Sequence, residues 1–274
     1  MIKITYKWFG GITIDEEVKV DHFPDNTLLL KTKNVDFNKH ININWYYEND
    51  AELFTIICLA KKAKGSKNLY IPYCPHARQD RIKSEEDTFT LKYFAEVINS
   101  LGFDEVCVLD PHSSVSEALI DNIVVKSPKK YITKIIEDNF MTEISLNKFS
   151  LFFPDEGSMK RYSGMFNNPY TFGLKRRDWK TGEIQGLDVI GDEKFIKDKT
   201  ILIVDDISSR GGTFLHSARK LKELGAKKVY LYVTHCENTI LAGELLTSGL
   251  IEKVFTTNSI FTKEHEKIEV LDLD

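Results

Sequence analysis

Residues 201–213 read ILIVDDISSRGGT. An apolar run ends in two adjacent acids, then a small polar loop, two glycines and a threonine that opens a helical pattern. A continuous apolar run is what a strand covered on both faces requires. A glycine turn from such a strand into a helix aims unpaired amides at an anion, and the helix dipole favours negative charge there. Gly211 and Gly212 permit close backbone approach, with Ser209, Arg210 and Thr213 beside them in the loop. Asp205 and Asp206 stand where carboxylates grip the vicinal hydroxyls of a ribose. A glycine pair alone would fit an ordinary strand–loop–helix turn. The acid pair in register with it marks a sugar-phosphate loop.

The alternation of strand and helix extends in both directions. Downstream, a helix is expected over 213–224, a strand over 228–233 and a helix over 239–248. Upstream, strands at 149–153 and 200–204 bracket a helix near 156–165. In residues 50–63, apolar Leu53, Ile56, Ile57 and Ala60 recur at helical spacing. A strand over 68–71, a helix over 88–101 capped by Gly102, and a strand over 105–110 follow. Such alternation implies right-handed βαβ crossovers and mainly parallel sheets, an α/β fold. The stretch 121–130 is polar at both ends and contains Pro128, which places a boundary between domains 1–127 and 128–274. The first 45 residues read as short strands with turns such as Pro24-Asp25-Asn26.

Composition narrows the partners. The 37 basic and 41 acidic residues leave a formal charge of −4, which gives no bulk attraction for nucleic acid. Cys58, Cys74, Cys107 and Cys236 form no CxxC pair, against a zinc site or a disulfide framework, and read as reduced thiols of a cytoplasmic protein. The opening MIKITYKWFGG lacks the apolar run of a signal peptide, and no stretch approaches the roughly 18 apolar residues of a membrane span. A soluble chain with no membrane partner is expected.

Four further segments carry chemistry. Residues 70–81, YIPYCPHARQDR, place Arg78 and Arg81 around Gln79 and Asp80 after a strand, and a planar guanidinium suits bidentate contact with a polyphosphate. The same residues could form a surface ion-pair cluster. Residues 109–114, LDPHSS, put Asp110 and His112 at a strand end, where open α/β sheets bind ligands. A lone histidine there is more often structural than catalytic. In FFPDEGSMKR, residues 152–161, Asp155 is a hard oxygen ligand suited to Mg²⁺ and equally an N-cap for the following helix. Residues 173–186, GLKRRDWKTGEIQG, carry Lys175, Arg176, Arg177 and Lys180 between glycines. That pattern suits a lid bringing positive charge to a phosphoryl group, or a solvated basic hairpin.

In this order and spacing, the five segments resemble the ribose-phosphate pyrophosphokinases, or PRPP synthetases, from about Phe23 to the C-terminus. The resemblance implies a pair of phosphoribosyltransferase-like domains with active sites between them and an adenine pocket completed by a neighbouring subunit, hence a homo-oligomer of at least two copies. It makes HFPDNT, with Phe23 and Asp25, the adenine-binding segment. Arg78, Gln79 and Asp80 fall on its ATP-gripping loop, and His112 on a site that serves metal, ATP and catalysis. Asp155 falls on a metal site, Lys175 and Arg177 on the catalytic pair of a flexible loop, and 205–213 on the PRPP loop. The implied reaction uses ATP and Mg²⁺: O1 of ribose 5-phosphate attacks the β-phosphorus in line and expels AMP, giving PRPP for nucleotide biosynthesis.

The chain also departs from the family pattern. Arg210 replaces a threonine before the glycines, Pro111 a leucine beside His112, and Thr27 a glutamate near the adenine segment. The family's SGSSH-like stretch is missing near the N-terminus, and Asp274 falls about where the family adds a last helix, so its hexamer and allosteric control are not carried over. A long cation at 210 crowds a simple monophosphate but reaches the second phosphate of a 5′-diphosphate such as ADP-ribose, which would tie the chain to NAD metabolism. A catalytically silent regulatory subunit is a third reading. It is disfavoured because Arg78, His112, Asp155, Lys175, Arg177, Asp205 and Asp206 are all present.

Overall fold

The computed structural model describes residues 1–7, 13–177 and 184–273. The chain forms two compact units, Met1–Ser127 and Pro128–Asp274.

In the first unit, strands β1 (Ile2–Lys7) and β2 (Thr13–Glu17) are antiparallel, and a separate hairpin joins β3 (Lys19–His22) to β4 (Leu28–Lys31). Strands β5 (Ile41–Trp45), β6 (Lys67–Ile71), β7 (Glu105–Leu109) and β8 (Ile123–Lys126) run parallel, with β1 antiparallel to β5, in the order β2-β1-β5-β6-β7-β8. Helices α1 (Glu52–Lys62) and α2 (Thr90–Ser100) make the crossovers on either side of β6. Helix α2 buries Leu91, Phe94, Ala95 and Ile98, the i, i+3, i+4, i+7 stripe of a helix lying on a sheet. Gly102, at φ +65°, takes the left-handed turn just past its end. Burial alternates along β5: Ile41, Ile43 and Trp45 enter the core while Asn42 and Asn44 face the other way. A short helix, α3 (Val115–Leu119), lies between β7 and β8.

The second unit opens with α4 (Lys129–Asn139) and α5 (Met141–Ser145), followed by β9 (Phe149–Phe153), α6 (Glu156–Tyr162), β10 (Tyr170–Arg177) and β11 (Ile184–Ile190). Then come β12 (Thr200–Ser208), α7 (Gly212–Glu223), β13 (Lys228–Cys236), β14 (Val254–Thr257) and β15 (Ile268–Leu271). The sheet order is β11-β10-β9-β12-β13-β14-β15, and every pair is parallel except β10–β11. Strand β9 is buried throughout, as are the first five residues of β12, which explains why only Ser150 and Thr200 interrupt or precede their apolar runs.

Four expected elements differ. Strands β12 and β13 do not stop at Val204 and Val233 but run on side by side, through both acids, to Ser208 and Cys236. The helix expected over 156–165 ends at Tyr162 and tightens into a 3₁₀ turn, Ser163–Met165. The helix expected over 239–248 is a 3₁₀ turn, Asn238–Ala242, followed by irregular chain. Ile240, Leu245 and Leu246 are buried there, so the periodicity was a burial signal without being a helix signal. Thr247 and Ser248 hydroxyls donate to the Glu244 and Leu245 carbonyls, local bonds that compete with a helical ladder. Among the described residues, no helix is long and apolar enough to cross a membrane, and the four cysteines are unpaired.

Candidate active site

Parallel strands deliver their carboxyl ends to one edge of a sheet, and on β12 that end carries Asp205 and Asp206. The Asp206 amide donates to Asp205 Oδ1 at 3.0 Å, and Arg161 Nη1 reaches Asp206 Oδ2 at 3.2 Å. Asp206 is therefore buried but charge-compensated. Asp205 differs. It is half-buried, and burial, with the charges of Asp206 and then Asp155, pushes its pKa well above the ordinary carboxylate range.

The loop beyond the acids is held open by glycine. Gly211 is the N-cap of α7 at φ +81°, and a Cβ there would meet the Leu245 side chain at 2.8 Å. Gly212 has open space where its Cβ would stand, and Gly211 as N-cap has no side chain to take up the first-turn amides. A Cβ on Gly243 would lie 2.0 Å from the Arg210 carbonyl oxygen, so the segment after β13 is pressed against the loop and pins its backbone. The Arg210 side chain is exposed.

Asp155 caps α6. Its Oδ1 accepts from the Ser158 amide at 3.0 Å, and the Ser158 hydroxyl accepts from the Asp155 amide at 3.3 Å, closing a capping box. The same carboxylate also contributes to the field on Asp205, so the cap coexists with a place in the acid cluster. Among the described residues, no three His, Cys, Asp or Glu side chains converge on one cation position. The donor set still fits Mg²⁺, which takes one or two carboxylates and completes its shell with substrate phosphates and water.

In the first unit, Asp80 is nearly buried. It takes a bidentate contact from Arg81, Nε–Oδ1 2.6 Å and Nη2–Oδ2 2.7 Å, and a 2.6 Å hydrogen bond from the Ser113 hydroxyl. The Arg81 hydrogen bonds lead in lowering its pKa to about 2, with Ser113 and the Arg81 charge adding and burial opposing. Asp80 is thus a latch tying the 70–81 loop to the loop after β7. The latch leaves Arg78, Gln79 and His112 exposed. Gln79 accepts from the Thr90 hydroxyl at 2.9 Å. Asp110 adopts φ +43°, with its amide donating to the Lys126 carbonyl at 3.0 Å.

On the β3–β4 hairpin, Phe23 is 49% exposed. Asp25 shapes the turn, accepting from the Thr27 hydroxyl at 2.7 Å and amide at 3.0 Å, which lowers its pKa. The Lys175 and Arg177 backbones pair with Leu187 and Ile184, with a register shift between Arg176 and Arg177. Their side chains, and residues 178–183 with Lys180, lie outside the described residues. Sequence reading had not singled out Arg161, Ser113 or Gly243. Arg161 and Ser113 stood within quoted motifs, but their partners are far along the chain.

Two units built on mainly parallel sheets, one ending in an acid pair and an open helix N-terminus, define an α/β protein of the phosphoribosyltransferase-like class. A family profile described as the phosphoribosyl synthetase-associated domain matches residues 179–273. A ribose-phosphate pyrophosphokinase of Clostridium tetani is 31% identical over 238 residues, 82% of this chain and 71% of the relative. That of Bradyrhizobium diazoefficiens is 26% identical over 264 residues, 95% of this chain and 78% of the relative. The fold matches the phosphoribosylpyrophosphate synthetase from Mycobacterium smegmatis with a TM-score of 0.74 at 20% identity, covering 93% of this chain and 86% of that one. The chain belongs to the ribose-phosphate pyrophosphokinase family and is an enzyme of that type.

Proposed function

We propose that the enzyme transfers the terminal diphosphate of ATP to O1 of ribose 5-phosphate. The observation that carries this is the end of β12, where an acid pair, Asp205 half-buried and Asp206 buried, precedes a helix N-terminus whose N-cap is Gly211. Sugar hydroxyls donate to Asp205 and Asp206 and relieve the charge crowding on Asp205. The Gly211, Gly212 and Thr213 amides take the 5′-phosphate.

On the ATP side, Arg78, Gln79 and His112 meet the triphosphate, while Asp80 holds their loop in place. Phe23 offers an exposed face for adenine in an oligomer of at least two copies, with Asp25 fixing its turn. Asp155 and His112 are the proposed ligands of Mg²⁺, which when bound neutralises phosphate oxygens. O1 attacks the β-phosphorus, the bond from that phosphorus to the bridging oxygen of AMP breaks, and the O1 proton passes to solvent. Lys175 and Arg177 offset charge developing in the transition state. Catalysis is then positioning plus charge neutralisation. The setting proposed is cytoplasmic, without nucleic acid or membrane partners.

A second reading replaces ribose 5-phosphate by a larger 5′-substituted ribose, with ADP-ribose the leading candidate. It is favoured by Arg210, whose exposed guanidinium makes no hydrogen bond or ion pair among the described residues. A monophosphate is already served by the amides, so the added cation is most useful to charge beyond it. Measuring AMP release from ATP with Mg²⁺, each sugar in turn, tests both. No AMP release with either sugar, or full activity in EDTA, overturns the reaction class.

A further inference from the structure

Beside the sugar-phosphate loop runs a hydrogen-bond chain that the reaction as outlined does not use. Thr239 Oγ1 donates to Glu237 Oε2 at 3.0 Å, and Ser209 Oγ lies 3.1 Å from Thr239 Oγ1. The segment is fixed at several points. The Glu237 amide donates to the Ser208 carbonyl at 2.8 Å. Asn238 Nδ2 donates to Thr262 Oγ1 at 2.9 Å, and the Thr262 amide returns a bond to Asn238 Oδ1 at 3.1 Å.

The direction of the chain follows from proton counting. A hydroxyl has one proton to give, and an ionised carboxylate has none. Thr239 spends its proton on Glu237. The Ser209–Thr239 bond must then use the proton of Ser209. Ser209 is left with lone pairs only for whatever occupies the loop. Phosphate oxygens are themselves acceptors and gain nothing from such a group, whereas a sugar hydroxyl can donate to it.

We infer that Ser209 reads a hydroxyl of the bound sugar alongside Asp205 and Asp206, and that Glu237, through Thr239, is the positioning residue that sets this polarity. Ser209, named from the sequence only as part of the sugar-phosphate loop, then serves the sugar and not the phosphate. The 5′-phosphate falls to the amides of Gly211, Gly212 and Thr213. This inference rests on the sugar-phosphate reading of the site proposed above.

The test is calorimetric titration of the intact enzyme with ribose 5-phosphate and, separately, with inorganic phosphate. Ser209→Ala should weaken ribose 5-phosphate about threefold to tenfold, the loss of one neutral hydrogen bond, and leave inorganic phosphate within about twofold. Glu237→Ala releases the Thr239 proton and lets the chain reverse. It should weaken the sugar phosphate about threefold and tighten inorganic phosphate, while Glu237→Gln, which keeps an acceptor oxygen, restores wild-type values for both. Equal weakening of both ligands by Ser209→Ala, no effect on either, or failure of Glu237→Gln to restore binding overturns the inference alone. A wild type that binds neither ligand overturns the sugar-phosphate reading as well.

Discussion

Asp80 and Asp205 are the same residue type near the carboxyl ends of parallel strands in the two units, and their electrostatics are opposite. Asp80 is held at about pKa 2, chiefly by the Arg81 fork and also by the Ser113 hydroxyl. Asp205 is pushed up, first by burial and then by Asp206 and Asp155. The Asp80 carboxylate, taken up by the Arg81 fork and the Ser113 hydroxyl, acts as scaffolding. Asp205, with a backbone amide but no cation among the described residues to offset its like-charged neighbours, is the one a ligand's hydroxyls or cation would relieve. The contrast separates Asp80, which holds its own loop, from Asp205, the residue proposed to meet sugar, a distinction the motifs alone do not draw.

The comparison can be sharpened most strongly at Asp205. Asp205→Asn should lower kcat/KM for the sugar on the order of 10²- to 10³-fold, the scale of losing a buried hydrogen-bonded charge at a reacting centre. The same change should raise the melting temperature of the ligand-free protein by roughly 2–4 °C, what about 1 kcal/mol produces in a chain of this size. A drop in both activity and melting temperature would make Asp205 scaffolding like Asp80. As a reference outside both strand ends, Lys175→Ala should lower kcat on the order of 10²-fold with little change in the KM for ATP, because the contact proposed for it is made in the transition state. Unchanged turnover would remove the lid from the mechanism.

A smaller effect is expected at Arg210. Arg210→Thr should move the ratio of kcat/KM for ribose 5-phosphate over ADP-ribose by about tenfold to a hundredfold toward ribose 5-phosphate. If the wild type strongly prefers ribose 5-phosphate and the variant only loses activity, Arg210 serves the ordinary cradle.

The smallest catalytic effect belongs to Asp80. Asp80→Asn should cost about 1–2 kcal/mol of stability and change kcat less than about tenfold. Its pH signature has a definite sign. A carboxyl whose folded pKa lies below its unfolded value stabilises the fold above the unfolded pKa, and that contribution disappears as pH falls. The wild type should therefore lose stability between about pH 4 and pH 2, and Asp80→Asn should lose less over that window in acid-titrated thermal melts. For Asp205 the sign is reversed. Its raised pKa destabilises the ligand-free fold at neutral pH, and the penalty shrinks as pH falls through its folded value.

Much of this was legible in the sequence, because strands buried on both faces announce themselves as apolar runs and the acid pair sits contiguous with its glycines. The parallel sheets, the glycine turn from β12 into α7 and the Asp155 cap all followed from local pattern. What escaped depends on contacts between distant segments. Arg161 meets Asp206 across 45 residues, Ser113 meets Asp80 across 33, and Thr239 meets Ser209 across 30. Residues 239–248 carry helical spacing, but their apolar side chains fill a wall around a loop. Nothing within ten residues of Gly243 indicates that it abuts the Arg210 carbonyl.

That last contact limits how this enzyme can diverge or be rebuilt. Position 243 has no room for a Cβ, and Leu245 fills the space beside Gly211. The loop after β12 and the segment after β13 are therefore inherited together. A graft that carries residues 205–213 from a relative, without the matching 237–245, would set a new loop against a foreign wall. The smallest part that can be exchanged to alter this loop is a pair of segments about thirty residues apart.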